Sequence, residues 1–365
     1  MGEVLAGSED RAGTLLHFLK GMPPEEVQRL RDALDAPAAQ GDPGRDRPLA
    51  LLVLAVLVGT LAPRLLRRSA WVDRSPAMGI VLWQALSLSV VAATVLAGAA
   101  LALPDVPFTA NLAELISACS AALRAQYATP AGAAASTTGA VFAVGVTARV
   151  GFCLTAGLVR AHRQRAAQLQ ALRLVADIHH RSGALVVEHD VAAAYCLPGR
   201  GRHIVLSTAA LAQLDADELT AVLAHERAHL RHRHHLVLAA SAALRSAFPR
   251  VPAFADADEE LRRLVEMHAD DVAARGSARL TIATALVRLA ESSAPVAALG
   301  AGGDTSLARV RRLVSPAAPL GPARALVARL GALTLVVAPM VIAAAPAVAA
   351  ATADLCPLML PGPAG

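Results

Sequence analysis

The stretch Asp217-Glu218-Leu219-Thr220-Ala221-Val222-Leu223-Ala224-His225-Glu226-Arg227-Ala228-His229-Leu230 decides how this chain is read. It opens on acidic residues, contains no Gly or Pro and is rich in Ala and Leu, so a helix is expected. Residues four apart share one helix face, so His225 and His229 can both reach a single zinc ion. Glu226, one residue on, then lies beside the metal, where a carboxylate can take a proton from water. The five-residue pattern also occurs by chance, so the surrounding sequence has to carry the rest of the reading.

Zinc needs a third protein ligand, and two residues could supply one. His235 follows His229 at the metzincin spacing, but that pattern turns on a glycine where this chain has His232. Without the turn, a helix rising about 1.5 Å per residue carries His235 about 9 Å past His229. Glu266 is favoured instead, within Glu266-Met267-His268-Ala269-Asp270-Asp271-Val272-Ala273, a second helical segment. Glu266 and Asp270 are four apart, so one carboxylate can bind zinc while the other orients a ligand histidine. Asp270 is given the orienting role. His232, His234 and His235 are read as a solvated basic face that continues the first helix.

The composition fixes the setting. The 365 residues are 55% hydrophobic, 17% charged and 3% aromatic, with mean hydropathy +0.48. That excludes extensive disorder, and four Cys exclude a disulfide-rich scaffold. The net charge of +5 is carried almost wholly by Arg, Lys20 being the only lysine. With so much Ala, Val and Leu this reflects coding bias, and no direct nucleic-acid binding is expected. Four stretches are apolar enough to span a bilayer: about 49–66, 78–103, 137–159 and 325–353. Arg149 interrupts the third, and Pro339 and Pro346 fall in the fourth, where lipid-embedded helices tolerate them.

Arginines set the expected orientation. Arg64, Arg67, Arg68 and Arg74 follow the first span, Arg160, Arg163 and Arg165 the third, and Arg309, Arg311, Arg312 and Arg324 precede the last. The segment 161–324 is therefore expected inside the cell, with both termini outside. Residues 1–47 form a polar extension in which Pro23-Pro24-Glu25-Glu26 could open a short helix through Leu34. Residues 111–128 read as an interfacial amphipathic helix, and 354–365 as a short tail. Cys119 and Cys356 share the outer side, where two free thiols are favoured over a disulfide. Leu185 to Glu188 and Arg202 to Leu206 are β-prone and expected to form a small sheet beside the metal. The expected fold is mainly α: about four transmembrane helices in 48–160 and 325–353, plus a zincin-like α+β domain.

The combination resembles the BlaR/MecR-type integral-membrane zinc metallopeptidases and, more distantly, the HtpX and CAAX prenyl-protease group. The shared pieces are His225-Glu226-x-x-His229 and Glu266-x-x-Ala269-Asp270. Ile204-Val205-Leu206-Ser207 with Leu211, Leu214 and Asp217-Glu218-Leu219 resembles the family's strand-then-helix lead-in. Arg309-Val310-Arg311-Arg312-Leu313 resembles its Arg-Ile-x-x-Leu element. The chain departs from the sensor members in carrying no large penicillin-binding domain after the last span, so β-lactam sensing is not implied.

The resemblance implies a multi-pass zinc endopeptidase of the bacterial plasma membrane, with one zinc per chain and its peptidase domain in the cytoplasm. Zinc on His225, His229 and Glu266 would activate water, Glu226 would act as general base, and Arg309 is a possible transition-state contact. The substrate would be a protein or peptide, either membrane-proximal or a repressor of the BlaI kind. Two other classes compete: a non-catalytic zinc-binding membrane scaffold, and a metal-handling protein using the histidines from His225 to His235. The scaffold has no use for Glu226, and metal handling predicts several ions per chain.

Overall fold

The computed structural model describes residues 43–103, 112–180, 182–199, 201, 203–292, 302–315, 318 and 320–355. The expected helix at 23–34 and Cys356 lie outside them, as does the side chain of Cys119. The chain divides into two units, residues 1–46 and 47–365; only 43–46 of the first are described.

In chain order the elements are α1 (Pro43–Arg67), α2 (Trp71–Arg74), α3 (Pro76–Ala102), α4 (Leu112–Tyr127) and α5 (Pro130–Val175). The strands β1 (Asp177–Ile178), β2 (Leu185–Val187), β3 (Ala194–Leu197) and β4 (His203–Ser207) follow. Then come α6 (Thr208–Gln213), α7 (Ala216–Arg231), α8 (His234–Ala247), α9 (Pro252–Ala273), α10 (Arg279–Ser292), α11 (Gly302–Val314) and α12 (Pro322–Leu355). The fold is mostly helical with a small mixed sheet. Four helical stretches are long and apolar enough to cross a membrane: Asp46–Arg67, Pro76–Ala102, Pro130–Val175 and Pro322–Ala345.

α3 lies at the centre of these helices because it is apolar all round, which suits burial on several sides. Its contact with α5 is made through glycines. A Cβ on Gly139 would sit 2.5 Å from the carbonyl oxygen of Gly98, and one on Gly98 would sit 2.9 Å from that of Gly139. Small residues let two apolar helices approach backbone to backbone, where dispersion replaces the missing hydrophobic drive. α5 has 46 residues. Its apolar stretch gives way to Arg160, Arg163, Arg165 and Arg173, yet no Gly or Pro follows Gly157, so the helix continues. The domain boundary expected at 160 therefore falls inside a continuous helix.

The half of the chain that carries His225 and Glu266 is seated on α3 through α9. α9 presents Phe254, Ala257, Leu261 and Leu264 along one face, and these pack with Trp83 and Leu86 of α3 in the largest buried cluster. Each fully buried large side chain of this kind contributes about 1.5–3 kcal/mol. The approach is close at Gly79, whose Cβ would meet Leu264 of α9 at 3.0 Å. Arg67 pairs with Asp256, and Asp73 pairs with Arg263. These ion pairs tie the α1–α3 connection to α9.

Arg149, costly in a bilayer, has a partner: its Nε donates to the carbonyl of Ala247 at the end of α8, where the helix dipole favours a cation. Between α3, α5, α8 and α12 lies an apolar cavity of about 830 Å³, remote from the histidines.

The sheet order is β1-β2-β4-β3. β2 and β4 run parallel, with Leu185 opposite Val205, and β3 and β4 run antiparallel, with Tyr195 opposite Val205. Both β-prone runs read from sequence are strands. β3 and the two-residue β1 were not anticipated. Leu172, near the end of α5, packs with Leu185, Leu197 and Val205, joining the long helix to the sheet.

Candidate metal centre

α7 starts where the sequence says it should. Asp215 caps it by accepting from the N–H groups of Asp217 and Glu218, while Glu218 accepts from the Asp215 N–H at 3.0 Å. That reciprocal pair satisfies donors that a helix start leaves open. Arg288 of α10 then binds Glu218 at 2.6 Å, fixing α7 against its neighbour.

Ten residues on, α7 projects His225 and His229 toward Glu266 of α9. Nε2 of His225 lies 3.1 Å from Nε2 of His229. Glu266 Oε2 is 3.4 Å from the first ring and Oε1 is 3.5 Å from the second. Among the described residues, this is the group of three donors that converges closely enough to hold a metal ion. The donor set fits zinc. Metal–ligand distances of about 2.0–2.1 Å in a tetrahedron require ligand–ligand edges of about 3.3 Å, and two imidazoles with one carboxylate are a zinc-type set. His235, the alternative ligand weighed above, is not in the group.

Asp270 is 1% exposed, and its Oδ1 lies 2.9 Å from His225 Nδ1. Arg309 holds the same carboxylate through two 2.8 Å hydrogen bonds, from Nε and Nη2. Its remaining Nη1 is 3.1 Å from Glu266 Oε2. Arg309 thus bridges the two carboxylates, a positioning geometry, and it also lines a cavity beside the histidines.

The electrostatics follow from these contacts. Burial lowers the pKa of His225, but Asp270 and Glu266 outweigh it and raise the group to about 9. Burial alone dominates at His229, which falls to about 4. Burial would raise Glu266 and Asp270, yet His225 and Arg309 hold both down at about 2. Burial pushes Glu226 up, in the direction that suits a general base.

Three features were not anticipated. α7 does not continue through His232: Arg233 takes a left-handed conformation, φ 52°, and a new helix begins at His234. His234 is 3% exposed and contacts His229, so the reading of a solvated basic face is corrected for this residue. The readable signal was that Leu230 has no apolar successor at 233 or 234, which a continuing amphipathic helix would need.

The second feature is the edge strand β3, which brings Cys196 against Glu226. Burial and the Glu226 charge push that thiol up to about 12, so it stays protonated. The third is a cavity of about 220 Å³ beside the histidines, lined by Val222, Glu226, Ile282, Leu286 and Leu289 together with Arg309.

Fold and site define a multi-span helical protein with a zincin-like domain built around a His-Glu-x-x-His helix. Residues 159–317 match the family model of Peptidase family M48, a zinc metallopeptidase family. The match covers less than half of the chain, runs from within α5 to just past α11, and supports a metallopeptidase. No curated protein and no solved structure is matched.

Proposed function

We propose that the chain is a membrane-embedded zinc endopeptidase in which His225, His229 and Glu266 hold one zinc and Glu226 is the general base. The observation that carries this is the convergence of the three donors, with Glu226 lining the cavity beside them. Zinc held there would supply Lewis acidity, polarising the scissile carbonyl and acidifying water.

The chain's own residues do the rest. Glu226 accepts the proton of the attacking water and delivers it to the leaving amine. Asp270 fixes the His225 ring, and Arg309 fixes Asp270 and Glu266. β3 is an edge strand, so an extended substrate can add to it backbone to backbone, with one side chain entering the cavity of about 220 Å³ beside the histidines. The substrate is a protein segment in extended form, either membrane-proximal or from a repressor of the BlaI kind. The arginine pattern assigns the peptidase domain to the cytoplasmic face of a bacterial plasma membrane. The metal-handling alternative calls for several ions, against the one converging group among the described residues.

The test uses detergent-purified full chain: wild type, Glu226→Gln and Glu266→Ala. Bound zinc is counted, and self-cleavage and casein cleavage are followed. The expected result is one zinc in wild type and in Glu226→Gln, cleavage lost in the latter, and zinc lost in Glu266→Ala. Several zinc ions per chain with cleavage independent of Glu226 would overturn the proposal.

A further inference from the structure

The two histidines of the candidate metal centre have different partners behind them. His225 has a carboxylate. His229 has another imidazole, and that imidazole has a third: His229 Nδ1 is 3.0 Å from His234 Nδ1, and His234 Nε2 is 3.0 Å from His268 Nδ1. The chain of rings runs from the centre of the site to the surface, where His268 meets the exposed ring of His232 edge-on at 4.6 Å between centroids. Nothing in a solvated basic face requires this order. It exists because the chain turns at Arg233 and folds His234 back under His229.

Each contact in the series joins two ring nitrogens, and a hydrogen bond there needs a proton on one and a lone pair on the other. A neutral imidazole carries one proton, so fixing it at one ring fixes it at the next. If His229 is to offer a bare Nε2 to a metal, its proton must sit on Nδ1 and be donated to His234. His234 must then accept at Nδ1, carry its own proton on Nε2, and donate to Nδ1 of His268.

We propose that His234 is a positioning residue for the metal centre, acting with His268 as a two-ring tautomer lock that holds His229 Nε2 bare. This rests on the reading of His225, His229 and Glu266 as zinc ligands. His234 takes the place usually held by a carboxylate or carbonyl behind a ligand histidine. It is neutral, so the site gains orientation at His229 without a second buried negative charge beside Asp270. His268 is needed because an unconstrained His234 has two tautomers, of which one presents a proton to His229 instead of a lone pair.

The test is zinc affinity of the full-length protein in detergent, measured by competition with a chromophoric chelator. Far-UV circular dichroism and thermal melting of the metal-free forms establish folding. An asparagine side-chain oxygen falls where the Nδ1 of histidine would lie, so His234→Asn keeps the acceptor, whereas His234→Leu fills the space and removes it. The expected order is wild type close to His234→Asn, with His234→Leu weaker by about 10–100-fold, the range seen when such a partner is removed. A role in packing alone predicts the reverse order, because leucine fills the buried volume better.

His268→Leu should weaken zinc in the wild-type background and have no effect in His234→Asn, since an amide oxygen has no tautomer to lock. Wild-type affinity in His234→Leu, or an equal His268→Leu effect in both backgrounds, overturns the lock. Absence of zinc from wild type, or zinc retained by His229→Ala, would overturn the metal centre itself, and that outcome is distinguishable from the others.

Discussion

Arg309 and Asp270 are joined by two hydrogen bonds of 2.8 Å each, although they lie 39 residues apart in the chain. The pair is almost wholly buried, at 9% and 1% exposure, and ties α11 to the helix that carries Glu266. A bidentate fork of this kind is among the stronger polar contacts in proteins, and breaking it from one side leaves a charge stranded away from water.

Asp270→Asn is therefore expected to be more damaging than its size suggests, because Arg309 keeps only Glu266. A loss of about 3–5 kcal/mol is the usual cost of breaking a buried pair. The double variant Asp270→Asn/Arg309→Met should recover part of that loss. Thermal melting of the chelator-treated protein measures both, and a double variant less stable than the single would contradict the account.

The same pair has a pH signature. Asp270 is held at about 2 in the folded protein, below the ordinary aspartate value of about 3.9. A depressed carboxyl contributes stability that is complete above the unfolded value and is lost as pH falls through the folded one. The metal-free protein should lose stability progressively between about pH 4 and pH 2, and Asp270→Asn should flatten that part of the curve. An unchanged slope in the variant would assign the acid transition to other groups.

Arg233 sits in the left-handed region at φ 52°, a conformation glycine adopts freely and β-branched residues resist. Arg233→Gly should melt at or slightly above wild type. Arg233→Val should destabilise by about 1–2 kcal/mol and weaken zinc, since the turn is what returns His234 to His229. Equal melting temperatures for the two variants would show that the turn is not held by this residue.

In the apolar half, Gly139→Leu should separate α3 from α5, because even a Cβ meets backbone at 2.5 Å. Gly145→Leu, on the same helix with nothing within 4 Å of its would-be Cβ, is the control. Detergent melting curves should show a large loss for the first and little change for the second.

The sequence and the structure agree where a local rule is decisive. Apolar length locates the four spans, and the acidic pair Asp217-Glu218 marks the first turn of α7. Helical spacing accounts for His225 with His229 and for Glu266 with Asp270. What could not be read is tertiary. Arg309 is 43 residues beyond Glu266, and only the packing of α11 against α9 gives its guanidinium to Asp270. β3 carries just four residues, Ala-Tyr-Cys-Leu, too short a run to show alternation against its neighbours. The turn at His232 and Arg233 has neither Gly nor Pro, so the missing apolar successor to Leu230 is the one local sign against a continuing helix, and the burial of His234 follows from the turn itself.

The unbroken length of α5 has a mechanical consequence. At about 1.5 Å per residue its 46 residues form a rod of about 69 Å, apolar at one end and wedged under the sheet at the other through Leu172. Such a rod is a lever: each degree of tilt about its midpoint displaces the sheet end by about 0.6 Å. A tilt of α5 therefore moves the strand residues against which Leu172 packs, Leu185, Leu197 and Val205.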